Sequence, residues 1–303
     1  MAIGNIVGSN ISNALLVLGL ASVTVPLLVS RTLVRVTVPI MIAVTGLVWW
    51  ISLDGVIDRL EGLGLLTGAV LFSVVTVARS RRATTAALAQ SRKHEPPGSP
   101  RSKTAATLLN LLAIAAGLVL LVLGAGWLVE GASEVARLLK ISELIVGLTV
   151  VAVGTSLPEI ATSLVAGIRG HRDIAVGNVV GSNIFNLLLV LGFCATVAPQ
   201  PVTVPESALR FDIPIMFGVS LACWPIFFTG WIIDRWEGLA FLGFYATYTL
   251  FLYLKATEHT ALHPFLTTMA YVILPITALL LAVLTFRHWR NGAPDSLNTP
   301  PLR

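Results

Sequence analysis

Hydrophobic residues occur in long uninterrupted runs along the chain, and polar residues are concentrated in the short stretches between them. Nine runs approach or exceed the length of about 20 residues that an α-helix needs to cross a membrane. They cover residues 3–28, 35–53, 62–79, 105–129, 143–168, 174–197, 211–233, 238–255 and 264–287. None alternates apolar and polar positions with the period of two that a membrane strand requires. The pattern therefore predicts an all-α, polytopic membrane protein with about nine transmembrane helices.

Composition and charge agree with this class of protein. The chain is 55% hydrophobic and only 12% charged, whereas a soluble domain carries about 25% charged residues. Residues 79–103 hold seven Lys or Arg residues and one acidic residue, Glu95. Between two apolar runs, this stretch predicts a cytoplasmic loop rather than a nucleic-acid site, and its Pro, Gly and Ser content predicts a flexible one. The same rule places loop 54–61 outside and loop 169–173 inside.

An internal repeat relates two parts of the chain. Residues 2–19 and 175–192 are identical at 14 of 18 aligned positions, and IDRLEGL at 57–63 corresponds to IDRWEGL at 233–239. Five predicted spans separate the start of one copy from the start of the other, so the two copies cross the membrane in opposite directions. Inverted repeats of this kind are typical of transporters that open a site at the repeat interface to each side in turn.

Polar side chains recur every four residues in both copies of the repeated helix. The six positions are Asn5, Ser9, Asn13, Asn178, Ser182 and Asn186. This spacing puts each trio on one helix face. Nearby glycines, which we expect to allow close backbone approach or a helix break, are Gly4, Gly8, Gly177 and Gly181. One such stripe is explained equally well by helix packing, but two stripes in inverted halves favour a shared polar site.

A second element, GTSLPE, places a carboxylate inside the run 143–168. An acidic residue such as Glu159 within a membrane span is costly and points to function. Pro158 lacks an N–H and predicts a kink or break, which would free backbone carbonyls for a cation. The hydroxyls of Thr155 and Ser156 lie one turn earlier on the same face. Such oxygens suit hard cations. The alternative is a kinked helix whose Glu159 pairs with a buried Lys or Arg.

The two elements together, GTSLPE followed by GNVVGSNIFN, resemble the α-repeat of the cation/Ca²⁺ exchanger superfamily, and most closely its bacterial sodium/calcium antiporter branch. The resemblance covers residues 2–255 and implies two inverted halves of five helices each. It implies ion ligands on the side chains of Thr155, Ser156, Glu159, Ser182, Asn186, Ser9 and Asn13 and on the backbone carbonyl of Ala152. It implies no cofactor, because Ca²⁺ and Na⁺ are the transported ions.

The chain departs from the family pattern in three respects. It has no first GTSLPE element, it carries Asn at both positions that can be Asp (Asn13 and Asn186), and it has an extra segment at 264–287. Since Met1 aligns with Ile174 inside the second motif, we expect the natural reading frame to begin upstream. The expected organisation is an incomplete first repeat of three helices (1–79), a basic cytoplasmic loop (80–104), a complete second repeat of five helices (105–255), and an extra helix and tail (256–303).

The predicted function is secondary antiport of Na⁺, or another monovalent cation, for Ca²⁺ across the cytoplasmic membrane by alternating access. The predicted partners are inorganic cations and the lipid bilayer, without nucleic acid. A H⁺/Ca²⁺ exchanger is an alternative, as is a non-transporting truncated remnant or assembly subunit. The sequence shows no H-E-x-x-H, G-x-S-x-G or paired intramembrane Asp motif that would favour an enzyme. It leaves stoichiometry, direction and oligomeric state open.

Overall fold

The computed structural model describes residues 2–91, 103–138, 154 and 156–291, which are predominantly helical. The α-helices are α1 (Ala2–Ser12), α2 (Leu18–Thr24), α3 (Val38–Ile51), α4 (Arg59–Ser91), α5 (Lys103–Leu138), α6 (Leu157–Ile168), α7 (Arg172–Phe185), α8 (Gly192–Val197), α9 (Ile213–Phe228), α10 (Arg235–Ala256), α11 (Leu262–Thr268) and α12 (Leu274–Asn291). Single π-helical turns lie at Asn13–Val17, Leu33–Thr37, Asn186–Leu191, Ala208–Asp212 and Met269–Ile273, and a 3₁₀ turn at Ser52–Asp54.

Helical stretches long and apolar enough to cross a membrane confirm the predicted architecture. In the described ranges there are eight: Ile3–Thr24, Leu33–Asp54, Arg59–Arg81, Thr107–Val135, Arg172–Val197, Ala208–Phe228, Arg235–Ala256 and Leu262–Arg287. Helix α6, together with Gly154 and Ser156, is the described part of the fifth predicted span, 143–168. The remainder of that span lies outside the described residues.

The repeated sequence forms two helices of the same construction. We call Ile3–Thr24 the first motif helix and Arg172–Val197 the second motif helix. Each consists of an α-helix, one π-helical turn and a second short α-helix. The π turns begin at Asn13 and Asn186, which are equivalent positions of the repeat. A π turn widens the helix locally and is frequently found at functional sites.

Four two-residue strands join the two halves of the chain reciprocally. Strand β1 (Leu27–Leu28) pairs with β4 (Ile232–Ile233), and β2 (Val56–Ile57) pairs with β3 (Val202–Thr203), both antiparallel. Because β1 and β3 follow the two motif helices, and β2 and β4 precede α4 and α10, each half supplies one strand to each pair. The halves are therefore interlocked around an approximate two-fold axis.

Helix packing follows the same reciprocal scheme. The end of the first motif helix packs on α10, and the end of the second motif helix packs on α4. Glycines allow both approaches: a Cβ on Gly238 would come within 3.0 Å of the Gly19 carbonyl oxygen, and a Cβ on Gly192 within 3.0 Å of the Gly62 carbonyl oxygen. Four glycines at equivalent positions thus bring backbones of opposite halves into direct contact.

The glycines expected to permit close approach do not do so. Among the described residues, a Cβ added at Gly4, Gly8 or Gly181 would meet nothing within 4 Å, and one at Gly177 would make only ordinary contact with Leu33. The helices also continue through these positions without a break. Close approach depends on where a partner helix crosses, and the partner crosses one helix end further along, at Gly19 and Gly192.

Two segment ends differ from the hydropathy pattern. Helix α4 continues to Ser91, so the first part of the basic 79–103 stretch is helical; its Ala-rich sequence favours a helix, and no Pro or Gly occurs before Pro96. The predicted span 211–233 ends as a helix at Phe228 instead. Beyond it, Gly230 and Trp231 take positive φ angles of 81° and 60°, which turns the chain into β4.

Candidate functional site

Three helices converge around the repeated motif. Helix α6 packs along α7 of the second motif helix and also contacts the π turn and α2 of the first motif helix. The two motif helices contact each other directly as well. The elements singled out from the sequence, GTSLPE and both copies of the repeated helix, are therefore neighbours in the fold.

Two asparagines form the centre of the contact between the motif helices. The Nδ2 group of Asn10 donates to the backbone oxygen of Asn183 at 3.3 Å, and the Nδ2 group of Asn183 donates to the backbone oxygen of Asn10 at 3.2 Å. Each side chain is only 2% exposed. The pair is a reciprocal clasp between equivalent residues of the two halves.

The predicted ligands Asn13 and Asn186 attach to this clasp across the repeat interface. The Nδ2 group of Asn13 donates to Oδ1 of Asn183 at 3.1 Å, and the Nδ2 group of Asn186 donates to Oδ1 of Asn10 at 2.9 Å. We call Asn10, Asn13, Asn183 and Asn186 the amide cluster. The NH₂ groups of Asn13 and Asn186 point toward the clasp, so the Oδ1 atoms of these two residues are directed away from it.

Among the described residues, buried side-chain oxygens without hydrogen-bond partners occur on the first motif helix and at the start of α6. Within the described part of the chain, neither Oδ1 of Asn13 nor Oγ of Ser156 has a hydrogen-bond partner, and both residues are 1% exposed. Ser156 is the N-cap of α6, yet its side chain does not cap the helix. Leaving a buried acceptor unsatisfied costs about 1–3 kcal/mol. Such atoms are therefore available to a bound cation.

Glu159 lies in the first turn of α6, next to Pro158 at the helix start. Helix α6 begins at Leu157 with Pro158 in its first turn, while most of the predicted span before it lies outside the described residues, so the predicted break stays a prediction. Glu159 is half-buried, and among the described residues no Lys or Arg forms an ion pair with it. The alternative of a carboxylate paired with a hidden base is therefore not observed there.

The remaining predicted ligands have different positions. Ser9 and Ser182 are half-buried on the two motif helices. Thr155 and Ala152 lie outside the described residues. Asn178, on the same stripe as Ser182, donates to Oγ1 of Thr162 at 3.1 Å and so ties α7 to α6.

The donor set is mainly neutral. In the ranges that the structure covers, no three His, Cys, Asp or Glu side chains gather closely enough to hold a metal ion. A site here would combine one carboxylate with amide and hydroxyl oxygens, which are ligands of Na⁺ and Ca²⁺.

Asn10 and Asn183 were missed by the sequence reasoning, which considered only the four-residue stripe. A signal was present, because GSNI is identical in both copies and a buried amide in an apolar helix must find a partner. Two sulfur atoms at equivalent positions complete the cluster: Nδ2 of Asn10 lies 3.6 Å from Met216 Sδ, and Nδ2 of Asn183 lies 3.9 Å from Met41 Sδ.

Two interlocked halves, the eight apolar spanning helices of the described ranges and buried oxygens on the helices where the halves meet define a multi-pass membrane transporter. More particularly, the chain belongs to the sodium/calcium exchanger protein family, whose model matches residues 1–78 and 109–254. It is thus a transporter of the cation/Ca²⁺ exchanger class.

Individual relatives and a solved structure agree with this family assignment. The chain is 34% identical over 226 residues to the inner membrane protein YrbG of Escherichia coli, covering 74% of this chain and 69% of that protein. It is 41% identical over 133 residues to the sodium/calcium exchanger MaX1 of Methanosarcina acetivorans, covering 44% and 37%. Among solved structures, the sodium-calcium exchanger NCX_Mj, soaked with zero Na⁺ and Ca²⁺, superposes with a TM-score of 0.63 at 28% identity, covering 81% of this chain and 74% of that one.

Proposed function

We propose that the chain exchanges Na⁺, or another monovalent cation, for Ca²⁺ across the cytoplasmic membrane. The two ions would compete for one oxygen-lined site between the motif helices and α6. The observation that supports this most directly is that buried oxygens, including Asn13 Oδ1 and Ser156 Oγ, lack partners among the described residues and lie on elements that pack together. MaX1 and NCX_Mj, which carry the names of sodium/calcium exchangers, support the choice of ions.

Each proposed ligand has a definite role. Glu159 supplies the negative charge that a divalent cation requires. Asn13, Asn186, Ser9 and Ser182 supply neutral oxygens, with Ser156, Thr155 and the carbonyl of Ala152 completing the set. Ca²⁺ takes six to eight oxygens at about 2.3–2.6 Å in adaptable geometry. Loss of one Ca²⁺ and entry of Na⁺ ions can therefore use the same ligands, with little change in their positions.

Alternating access follows from the interlocked halves. A site that lies on the interface between two equivalent halves can open to either side when one set of helices rocks against the other. The motif helices meet at the amide cluster, while α6 approaches from the second half. Movement of α6 relative to the first motif helix would open and close the site.

The counter-ion distinguishes this proposal from its closest rival, a H⁺/Ca²⁺ exchanger. The half-buried Glu159, with no basic partner among the described residues, is a group that could carry a proton out as Ca²⁺ enters. The neutral oxygens favour Na⁺, because hydroxyl and amide ligands bind it without releasing protons.

The test uses the purified chain in proteoliposomes. Internal Na⁺ with equal pH on both sides should drive uptake of radioactive Ca²⁺, and a pH gradient without Na⁺ should not. Uptake driven only by the pH gradient would assign H⁺ instead. If neither gradient drives uptake, and Ca²⁺ does not raise the unfolding temperature of the chain, the exchange function is wrong.

If the two motif helices cross the membrane in opposite directions, loop 54–61 lies outside and the basic stretch 79–103 lies inside, as the charges predict. In a variant without its own cysteines (Cys194→Ala, Cys223→Ala), we expect Asp54→Cys to react with an impermeant thiol reagent on intact cells and Ser99→Cys to react only after lysis. The reverse labelling would overturn the proposed orientation.

A further inference from the structure

We infer that Asn10 and Asn183 are positioning residues for ion binding. Each fixes the carboxamide of the ligand asparagine in the opposite half, so that its oxygen rather than its NH₂ group faces the ion. This inference rests on the proposed function, because it presupposes that Asn13 and Asn186 bind the ion.

The side-chain amides of Asn10 and Asn183 are themselves fixed in orientation. A backbone carbonyl can only accept a hydrogen bond, so the side-chain atom that contacts it must be the NH₂ group. Asn10 places its Nδ2 on the Asn183 carbonyl, and Asn183 places its Nδ2 on the Asn10 carbonyl. Both side chains are almost completely buried. Neither amide can rotate by half a turn without bringing two oxygens together, so each Oδ1 has a fixed direction.

The fixed amides in turn orient the proposed ligands Asn186 and Asn13. The fixed Oδ1 of Asn10 accepts from Nδ2 of Asn186, and the fixed Oδ1 of Asn183 accepts from Nδ2 of Asn13. An asparagine held by its NH₂ group presents its oxygen on the other side. For Asn13 this oxygen is buried and lacks a partner among the described residues. A freely rotating carboxamide would offer the partial positive charge of its NH₂ group to a cation for part of the time.

This hydrogen-bond arrangement occurs twice, once in each half. Equivalent residues make equivalent bonds in the two halves, including the contacts with Met216 and Met41. Because the same hydrogen-bond arrangement occurs in both halves, it follows from the repeated motif rather than from one local contact. The pairing is crossed, since the residue that orients each ligand belongs to the other half. Ion binding would thereby depend on correct contact between the halves.

The experiment is a double-mutant cycle on Ca²⁺ affinity, measured by equilibrium binding of radioactive Ca²⁺ to the full chain in detergent. We expect Asn10→Leu to weaken Ca²⁺ binding about 10-fold, as for other groups that orient metal ligands. Combining Asn10→Leu with Asn186→Ala should cost no more than Asn186→Ala alone. Combining it with Asn13→Ala should multiply the two losses, because these two side chains are not bonded to each other. A merely structural defect would not distinguish the two combinations.

A matched control is Thr45→Val at a residue that is also 1% exposed, since the hydroxyl that it removes donates to the backbone carbonyl of Met41 in its own helix. Its Ca²⁺ affinity should stay within about 2-fold of the parent chain. If Asn10→Leu does not fold, the equivalent cycle of Asn183→Leu with Asn13→Ala tests the same relation.

The outcomes separate the two proposals. If Asn13→Ala and Asn186→Ala leave Ca²⁺ affinity unchanged, the ligand assignment under the proposed function is wrong. If they weaken binding while Asn10→Leu or Asn183→Leu has no effect, only the positioning role is wrong. Losses that multiply in the Asn10/Asn186 pair would overturn it as well.

Discussion

The two motif helices share most of their sequence but differ in what covers them. Asn178 of the second motif helix is half-buried and bonded to Thr162 of α6. Its counterpart Asn5 is exposed. In the centre of the motif the difference disappears, because Asn10 and Asn183 are equally buried and make the same bonds. The outer part of the motif therefore takes its role from a neighbouring helix, and the central part from contact between the halves themselves.

The proposed ligands Asn13 and Asn186 also differ in burial. Asn13 is fully buried while Asn186 is half-buried, although each donates in the same way to the clasp asparagine of the opposite half. Helix α6 contacts the π turn that starts at Asn13. Helix α6, which carries Glu159, therefore covers part of the first motif helix.

The largest effect should come from Glu159→Gln, which keeps the shape of the α6 side of the site and removes its charge. Ca²⁺ affinity depends steeply on ligand charge, so we expect Ca²⁺ binding to weaken by more than about 10-fold and Na⁺-driven Ca²⁺ uptake to fall to near background. Uptake into proteoliposomes, with the amount of reconstituted protein measured in parallel, checks this.

The matched control is Glu206→Gln, the same substitution at an exposed residue paired with Arg210 on the surface. Exposed ion pairs contribute little to stability, and uptake should be unchanged. Parental uptake by Glu159→Gln would show that this carboxylate is not a ligand.

A smaller effect, on stability, should follow from Gly62→Ala. The added Cβ would lie 2.8 Å from the Ala195 Cβ and 2.9 Å from the Thr196 backbone nitrogen, so the second motif helix must move away from α4. Such overpacking costs about 1–3 kcal/mol. Thermal unfolding in detergent should show a lower midpoint. Gly243→Ala in α10, where a Cβ meets nothing within 4 Å, should be neutral or stabilising, and an equal drop there would contradict the interface interpretation.

The smallest effect should separate the equivalent residues Asn5 and Asn178. Asn178→Ala removes the bond to Thr162 and should lower the free energy of unfolding by about 1 kcal/mol. Asn5→Ala changes an exposed side chain and should stay within about 0.5 kcal/mol of the parent. Urea or thermal unfolding of the purified variants measures both. Equal losses would mean that α6 does not distinguish the two copies.

The sequence predicted the helices well because a membrane span has one dominant requirement, apolar length. It also predicted which motifs meet, since inverted repeats bring equivalent helices together. It did not predict Gly19, Gly62, Gly192 and Gly238 as the contact glycines, because close approach is set by helix crossing points that periodicity does not contain. Asn10 and Asn183 were overlooked for a related reason: their partners are backbone carbonyls of the opposite half, which no residue spacing within one helix reveals.

The crossed strand and glycine contacts have a consequence for biogenesis. Asn10 and its partner Asn183 are 173 residues apart, a stretch that takes roughly 10–30 s to synthesise at the usual rate of translation. During that time the first motif helix is inserted in the bilayer while the helices that cover it, α10 above all, are not yet made. Transmembrane helices that are individually stable in the bilayer can be inserted first and associate with their partners later. Nascent chains halted before α10 would leave Gly19 without the helix that covers it, a feature by which membrane quality control could recognise them.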